Sequence, residues 1–206
     1  MDVVLIGLPG SGKSVVGRRL AGRHGASFTD LDERIESTAG RTIPEIFEGD
    51  GEAGFRAFER AAIAELGPAD TATDVRRVIA TGGGAVVDPR NRWALYRGRT
   101  TVWLDGRPEV LAQRLRRSPH PRPLVSGRDP IGTIRDLAAK RERFYAAASV
   151  RQSGTDRRRV SISFRRPPDA QVSMSRFGCR FLISSQNARK PVTWPISVIP
   201  WRSGAS

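Results

Sequence analysis

The chain has 206 residues and a formal net charge of +14. This length suits one domain of roughly 150–200 residues with a substantial core, and the apolar runs fall well short of the ~20 residues of a membrane-spanning helix. The single cysteine, Cys179, excludes an internal disulfide and a cysteine metal site. An apolar strand begins almost at once, so we expect no signal peptide and a cytoplasmic protein without a membrane partner.

The positive charge is concentrated near the end of the chain. Residues 1–149 contain 24 Lys/Arg and 19 Asp/Glu, a net charge of +5, whereas residues 150–206 contain 11 and 2, a net charge of +9. Arginine outnumbers lysine 32 to 3, which a GC-rich coding sequence would also produce. Nucleic-acid binding is therefore not expected as the main function.

The first fourteen residues carry the strongest motif. Residues 3–6 form a short apolar run typical of a buried parallel strand, and residues 15–21 continue in a helical pattern. Between them, residues 7–14 match G-x-x-x-x-G-K-[ST] at every fixed position. A strand, a glycine-rich loop and a helix in this order predict a phosphate-binding loop. Lys13 would then reach the β- and γ-phosphates, and Ser14 would ligate magnesium.

Two acids follow the second predicted strand, residues 26–32. Asp30 and Asp32 lie at its carboxyl end, which is the edge where open α/β sheets bind ligands. Alternatively, Asp32 only caps the helix that follows.

A longer helical region begins at Thr42, which forms a capping box with Glu45. Residues 49–52 are expected to break it, and residues 55–66 form the next helix. Arg56 and Glu59 have i, i+3 spacing and share a face of that helix. Spacing alone favours a solvated ion pair for these two.

Two further segments are candidates for ligand contact. Gly82, Gly83 and Gly84 end a buried strand, where three glycines allow close approach to the backbone. The proline-rich residues 118–127 cannot form regular structure and carry Arg122. This segment is either a phosphate-closing lid or an ordinary surface loop.

Strands and helices alternate along the chain. Strands are predicted at 78–81 and 100–104, and helices at 89–96, 108–117 and 131–148. With the phosphate loop first, this alternation predicts an α/β fold of three αβα layers with a central parallel sheet.

Together these motifs resemble the shikimate kinases, which are P-loop kinases of the nucleoside-monophosphate-kinase type. The matching segments, in the family's order, are residues 7–14, 30–32, 42–47, 51–56 with Glu59, 82–84, 122–124 and 140–141. The resemblance covers residues 1 to about 158. It implies a P-loop NTPase fold, a monomer, and ATP-dependent phosphorylation of the 3-hydroxyl of shikimate with Mg²⁺, a step of chorismate and aromatic amino acid biosynthesis.

The resemblance also implies roles for individual residues. The catalytic residues would be Lys13, Asp32 and Arg122, and the metal residues Ser14 and Asp30. ATP would be bound by Gly10, Ser11, Gly12, Lys13, Ser14, Val15, Arg114, Arg122 and Arg158. Shikimate would be bound by Asp32, Phe47, Phe55, Arg56, Glu59, Gly82, Gly83, Gly84 and Arg141, with Arg56 and Arg141 on the carboxylate and Glu59 orienting Arg56.

Some features depart from the family pattern. Val15 stands where the family commonly has threonine, and residues 150–154 make a poor strand. The family's closing amphipathic helix cannot be found after residue 159. Residues 159–206 are instead rich in Pro, Ser and Arg, and we expect a basic tail without a stable fold, for which a shifted reading frame is one hypothesis.

Two alternatives remain at this point. The chain could be another small-molecule P-loop kinase of the gluconate type, which the Phe55–Arg56 and Arg141 positions argue against. It could also be a non-catalytic kinase-like domain whose basic tail binds nucleic acid or a protein partner.

Overall fold

The computed structural model describes residues 1–70, 72–117 and 129–153. They belong to a compact unit of residues 1–160. The predicted lid at 118–128 with Arg122, the candidate adenine contact Arg158 and the tail at 159–206 lie outside the described residues, and so does the predicted domain boundary at residue 158.

Five parallel strands form one sheet, and this confirms the predicted fold class. They are β1 Asp2–Ile6, β2 Ser27–Asp30, β3 Arg77–Ala80, β4 Thr100–Asp105 and β5 Val150–Ser153. Their order is β2-β3-β1-β4-β5. The central strand β1 is buried along its whole length, as expected for an apolar strand covered by helices on both faces.

The strand register decides which residues meet at the carboxyl edge of the sheet. Leu5 on β1 and Asp30 on β2 are both paired with Ala80 on β3. The segments that leave these strands therefore begin side by side. They are the glycine-rich loop after β1, the acidic turn after β2 and the triple-glycine turn after β3.

Six helices are described in the resolved ranges. They are α1 Lys13–His24, α2 Leu31–Ala39, α3 Ile43–Ala64, α4 Pro89–Tyr96, α5 Pro108–Arg116 and α6 Pro130–Tyr145. The cap of α2 is Asp30, whose carboxylate accepts a hydrogen bond of 3.0 Å from the N–H of Asp32. The alternative in which Asp32 caps this helix is therefore wrong, because its own N–H is one of the donors that the cap satisfies.

Two elements differ from the sequence prediction. The expected break at residues 49–52 is a kink within α3, where Gly51 has φ 68° and ψ −173°. The segment expected to make a poor strand forms β5, which pairs in parallel with β4 from Val102 to Asp105. Pairing with an existing strand edge outweighs the low strand propensity of Arg, Gln and Ser there.

The kink in α3 brings two aromatic rings together. Phe47 and Phe55 are stacked with their ring centroids 4.8 Å apart. A straight helix would separate residues eight positions apart by about 12 Å along its axis. The bend at Gly51 is therefore what allows this contact.

The opposite, amino edge of the sheet is held by a buried charge cluster. The fully buried carboxylate of Asp2 accepts hydrogen bonds from Arg77 Nε at 2.8 Å and from Arg99 Nε at 3.2 Å. Burial raises the pKa of Asp2, but a hydrogen bond from the Arg77 side chain, one from the backbone of Asp70 and the positive charges of Arg77 and Arg99 outweigh it, so the net pKa is lowered. This cluster ties β1 to β3 and to the start of β4.

None of the helices in the described part of the chain is long and apolar enough to cross a membrane.

The Asp2 cluster predicts a pH-dependent stability difference. Asp2→Asn should lower the free energy of unfolding at neutral pH by about 3 kcal/mol, because the buried Arg99 and the partly exposed Arg77 lose their counter-charge. The pKa of Asp2 is lower in the folded protein than in the unfolded chain. The stabilisation by the Asp2 carboxylate is therefore complete above pH 3.8, the ordinary pKa of an aspartate, and is lost as the pH falls through the folded-state pKa. Urea unfolding at a series of pH values measures the difference. Glu48→Gln, at an exposed position, is the control. If the difference in unfolding free energy between the wild type and Asp2→Asn did not decrease at acid pH, the proposed role of the Asp2 carboxylate would be wrong.

The kink predicts a requirement for glycine at position 51. A side chain in this region of backbone space costs of order 1–3 kcal/mol, so Gly51→Ala should reduce the unfolding free energy by that amount. Gly22→Ala on α1 is the matched control, because a Cβ there meets no atom within 4 Å and alanine is favoured inside a helix. Equal stability of the two variants, measured by urea unfolding, would show that the kink does not depend on glycine.

Candidate active site

The glycine-rich loop after β1 has the backbone that its sequence requires. Gly7, Gly10 and Gly12 all have positive φ, at 142°, 79° and 92°. Lys13 begins α1 and is buried, and its Nζ donates to the carbonyls of Gly7 at 2.9 Å and Leu8 at 3.0 Å. The loop and the helix N-terminus thus bring backbone N–H groups close to one ammonium group, a combination that suits an anion.

Two of these glycines also let the loop pack tightly against its neighbours. A Cβ at Gly7 would lie 2.5 Å from the carbonyl oxygen of Leu104 on β4, and one at Gly10 would lie 2.9 Å from that of Leu111 on α5. Arg114 lies on the next turn of α5 and is half-buried. The predicted ATP residues 10–15 therefore lie in one loop and helix start beside α5, with Val15 37% exposed.

Asp30 and Ser14 come together beside this loop. Asp30 is only 8% exposed. Burial raises the pKa of Asp30, a hydrogen bond with the Ser14 side chain lowers it, and the negative charges of Asp32 and Glu33 raise it further, so that the net pKa is raised. None of the groups named here as acting on the Asp30 pKa is positively charged. A buried carboxylate beside a hydroxyl group therefore offers oxygen ligands that suit a hard divalent cation.

The triple-glycine turn after β3 is where the second half of the site is assembled. A Cβ at Gly82 would lie 3.0 Å from Asp32 Oδ1 and 3.1 Å from Glu59 Oε1. The carboxylates of α2 and α3 therefore approach the same point of the backbone. A Cβ at residue 82 would therefore press on both carboxylates, each of which would have to shift by a few tenths of an ångström.

The other two glycines of the turn make contacts of their own. A Cβ at Gly83 would lie 2.7 Å from Cδ of Pro9 in the phosphate loop, and one at Gly84 would lie 2.7 Å from Nη2 of Arg56. The turn was predicted to admit a ligand. Its glycines also admit the protein's own side chains, which the sequence pattern did not reveal.

Arg56 is held by two carboxylates. Its Nη1 donates to Glu59 Oε2 at 2.8 Å, and its Nη2 donates to Glu52 Oε1 at 3.1 Å. Glu59 is 1% exposed, so the solvated ion pair that spacing alone favoured is wrong. The guanidinium also lies 5.2 Å from the centroid of the Phe55 ring, which the Phe47–Phe55 stack holds in place.

Burial of the Glu59 carboxylate disfavours its charged form. Burial raises the pKa of Glu59, the charge and hydrogen bond of Arg56 lower it, Asp32 raises it and Arg141 lowers it, with a net rise. Its Oε1 has no hydrogen-bond partner among the described residues. Glu59 thus lies between Asp32 and two arginines and influences all three.

Arg141 reaches the same turn from α6. Its Nη1 donates to the carbonyl oxygen of Gly83 at 3.0 Å. Tyr145, one turn later, donates to the same oxygen at 2.5 Å. Tyr145 was not predicted as a site residue, although its i, i+4 spacing from Arg141 is visible in the sequence.

Of the predicted site residues, the structure thus groups two sets at the carboxyl edge of the sheet. Around the phosphate loop lie residues 10–15, Asp30 and Arg114. Around the triple-glycine turn lie Asp32, Phe47, Phe55, Arg56, Glu59, residues 82–84 and Arg141. The contact of Pro9 with Gly83 joins the two sets.

The family model described as "Shikimate kinase" matches residues 9–167 of this chain. The match extends past residue 158, where the sequence predicts that the resemblance ends.

Curated relatives give the same result. A shikimate kinase of Symbiobacterium thermophilum is 49% identical over 159 residues, covering 77% of this chain and 88% of the relative. One of Synechococcus sp. (strain JA-3-3Ab) is 44% identical over 151 residues, covering 73% of this chain and 77% of the relative.

Solved structures are also similar. The shikimate kinase from Acinetobacter baumannii in complex with shikimate has a TM-score of 0.67 and 38% identity, covering 76% of this chain and 86% of that one. The shikimate kinase from Bacteroides thetaiotaomicron has a TM-score of 0.68 and 33% identity, covering 76% and 88%.

Proposed function

This chain belongs to the shikimate kinase family, and we propose that its site transfers the γ-phosphoryl group of ATP to the 3-hydroxyl of shikimate through the residues described above. The observation that carries the proposal is the contact between the phosphate loop and the triple-glycine turn. A Cβ at Gly83 would lie 2.7 Å from Pro9, so a nucleotide on the loop and a small acceptor at the turn would be neighbours.

The donor side is proposed to consist of the phosphate loop and the start of α1. Residues 10–15 would surround the β- and γ-phosphates with backbone N–H groups. Lys13 donates to two loop carbonyls, at 2.9 and 3.0 Å. These weak acceptors can be exchanged for phosphate oxygens, which bind an ammonium group more strongly. Arg114 would lie near the adenine.

Ser14 and Asp30 are proposed to hold Mg²⁺. They fit the ion because the Asp30 carboxylate is buried, lies beside the Ser14 hydroxyl and has its pKa raised by burial. When bound, the ion would neutralise charge on the phosphate oxygens. Asp30 is also the cap of α2, so its orientation is already fixed by the fold.

The acceptor side is proposed to lie at the triple-glycine turn. Arg56 and Arg141 would bind the carboxylate of shikimate, for which planar guanidinium groups are well suited. Glu59 anchors Arg56 at 2.8 Å, and the Phe47–Phe55 stack would form a wall against the ring of the substrate. Gly83, which is partly exposed, and its neighbours would offer backbone N–H groups to the substrate.

Asp32 is proposed to bind the hydroxyl groups and to accept the proton. The 3-hydroxyl oxygen forms its bond to the γ-phosphorus as the bond from that phosphorus to the bridging oxygen of ADP breaks, and the hydroxyl proton passes to the Asp32 carboxylate. ADP leaves with the electron pair. The transition state is loose, so catalysis consists mainly of positioning and charge neutralisation.

Two further residues extend this proposal. Arg122 would add positive charge at the transferring group and Arg158 would contact the adenine, and both lie outside the described residues. The activity is proposed for the monomer, the state that the family resemblance implies. The single cysteine is compatible with a cytoplasmic location.

A coupled ADP-release assay on the full chain tests the function. We expect ADP release that depends on shikimate and not on gluconate. Asp32→Asn should lower kcat by roughly 10²- to 10⁴-fold, the range for loss of a general base, while the circular dichroism spectrum stays native. Glu48→Gln, an exposed acid on α3, is the control. Equal turnover with gluconate, or normal kcat in the Asp32 variant, would contradict the proposal.

The carboxylate site is tested by Arg56→Lys, which keeps the charge and loses the two-pronged geometry. Since hydrogen bonds to charged groups contribute about 1.5–3 kcal/mol, we expect the KM for shikimate to rise between about tenfold and a hundredfold, with the KM for ATP unchanged. Arg60→Lys, on an exposed position of the same helix, should change neither constant. A rise in the KM for ATP without a rise in the KM for shikimate would contradict the assignment of Arg56 to the shikimate carboxylate.

A further inference from the structure

Helix α6 brings a buried phenol to the acceptor side, and the proposed function gives it no role. Tyr145 is 1% exposed and lies one helical turn after Arg141. Residues four apart share one face of a helix. Both side chains therefore point from α6 to the same place, the triple-glycine turn.

The two side chains converge on one atom of the turn. Tyr145 Oη donates to the carbonyl oxygen of Gly83 at 2.5 Å, and Arg141 Nη1 donates to it at 3.0 Å. The two side chains are also coupled electrostatically, since Arg141 partly offsets the burial that raises the pKa of Tyr145. A carbonyl oxygen has two lone pairs, so this oxygen is saturated and the peptide group that carries it is fixed.

The phenol is itself held in one orientation. Its ring stacks on Trp103 of β4 with centroids 5.8 Å apart, and Arg151 of β5 covers the Trp103 ring at 4.2 Å. Burial raises the pKa of Tyr145 to about 12, although Arg141 partly offsets the rise. The phenol therefore remains a proton donor throughout the physiological pH range.

We propose that Tyr145 is a positioning residue for the acceptor, which fixes the Arg141 guanidinium against the Gly83 carbonyl before the substrate arrives. The inference rests on the proposed function, because it takes Arg141 as a carboxylate ligand. A long arginine side chain loses much rotamer freedom when it binds. A partner that restrains it in advance lowers this cost and so raises affinity.

The rival explanation is that Tyr145 only tethers α6 to the sheet. The chain contains a matched control for this. Tyr96 on α4 donates to the carbonyl of Phe144 on α6 at 2.8 Å, and burial raises its pKa to about 12 as well. Tyr96→Phe removes a phenol–carbonyl bond that also holds α6, but it does not touch the triple-glycine turn.

Steady-state kinetics of Tyr145→Phe and Tyr96→Phe separate the two explanations, at a temperature well below the unfolding midpoint of each variant. We expect Tyr145→Phe to raise the KM for shikimate about fivefold, the equivalent of one lost hydrogen bond, with the KM for ATP and kcat within about twofold of wild type. Tyr96→Phe should leave all three constants unchanged. An unchanged KM for shikimate in Tyr145→Phe, or the same change in both variants, would overturn the inference.

A double-mutant cycle then tests whether Tyr145 acts through Arg141. In the Arg141→Lys background, Tyr145→Phe should change the KM for shikimate by less than about twofold, because its target is already gone. Additive effects would overturn the inference. A wild-type chain without shikimate-dependent turnover would overturn the proposed function and this inference together, whereas normal wild-type turnover with an unaffected Tyr145 variant would overturn the inference alone.

Discussion

Residues 82–84 have no side chains, and the space that their Cβ atoms would take is filled by groups from other parts of the fold. Asp32 and Glu59 approach Gly82, Pro9 approaches Gly83, and Arg56 approaches Gly84, all within about 3 Å of the ideal Cβ positions. The backbone of this turn is thus the surface on which α2, α3 and the phosphate loop meet. A side chain at any of these positions would press on a neighbouring group, on the nucleotide side at residue 83 and on the acceptor side at residues 82 and 84.

The charges of the acceptor half are arranged around one buried acid. The Glu59 carboxylate lies 2.8 Å from the Arg56 guanidinium and restricts the motion of that side chain. Asp32 raises the pKa of Glu59, and Arg141 lowers it. Buried charges are costly unless they are paired. In the proposed function, this cost arises at the position where the substrate carboxylate would pair with Arg56 and Arg141.

Much of this could be predicted from the sequence, for identifiable reasons. The phosphate loop follows from a local motif, and the positions of Asp30 and Asp32 follow from the rule that ligands bind at the carboxyl ends of parallel strands. The buried state of Glu59 and the role of Tyr145 depend on contacts between distant segments, which spacing along one helix does not report. The strand β5 shows the same limit, because pairing with β4 decided it. The break near Gly51 was expected from the sequence, and only its form, a kink within one helix, was not.

The account is tested most directly by Gly84→Ala, with separate calorimetric titrations of shikimate and of ADP with magnesium. The new methyl group would lie 2.7 and 2.8 Å from the two terminal nitrogens of Arg56, so the guanidinium must move while the phosphate loop keeps its contacts. The account predicts that shikimate binding weakens by about tenfold or more, the loss of a charge-assisted hydrogen bond, with nucleotide binding unchanged. An unaltered shikimate affinity would contradict it.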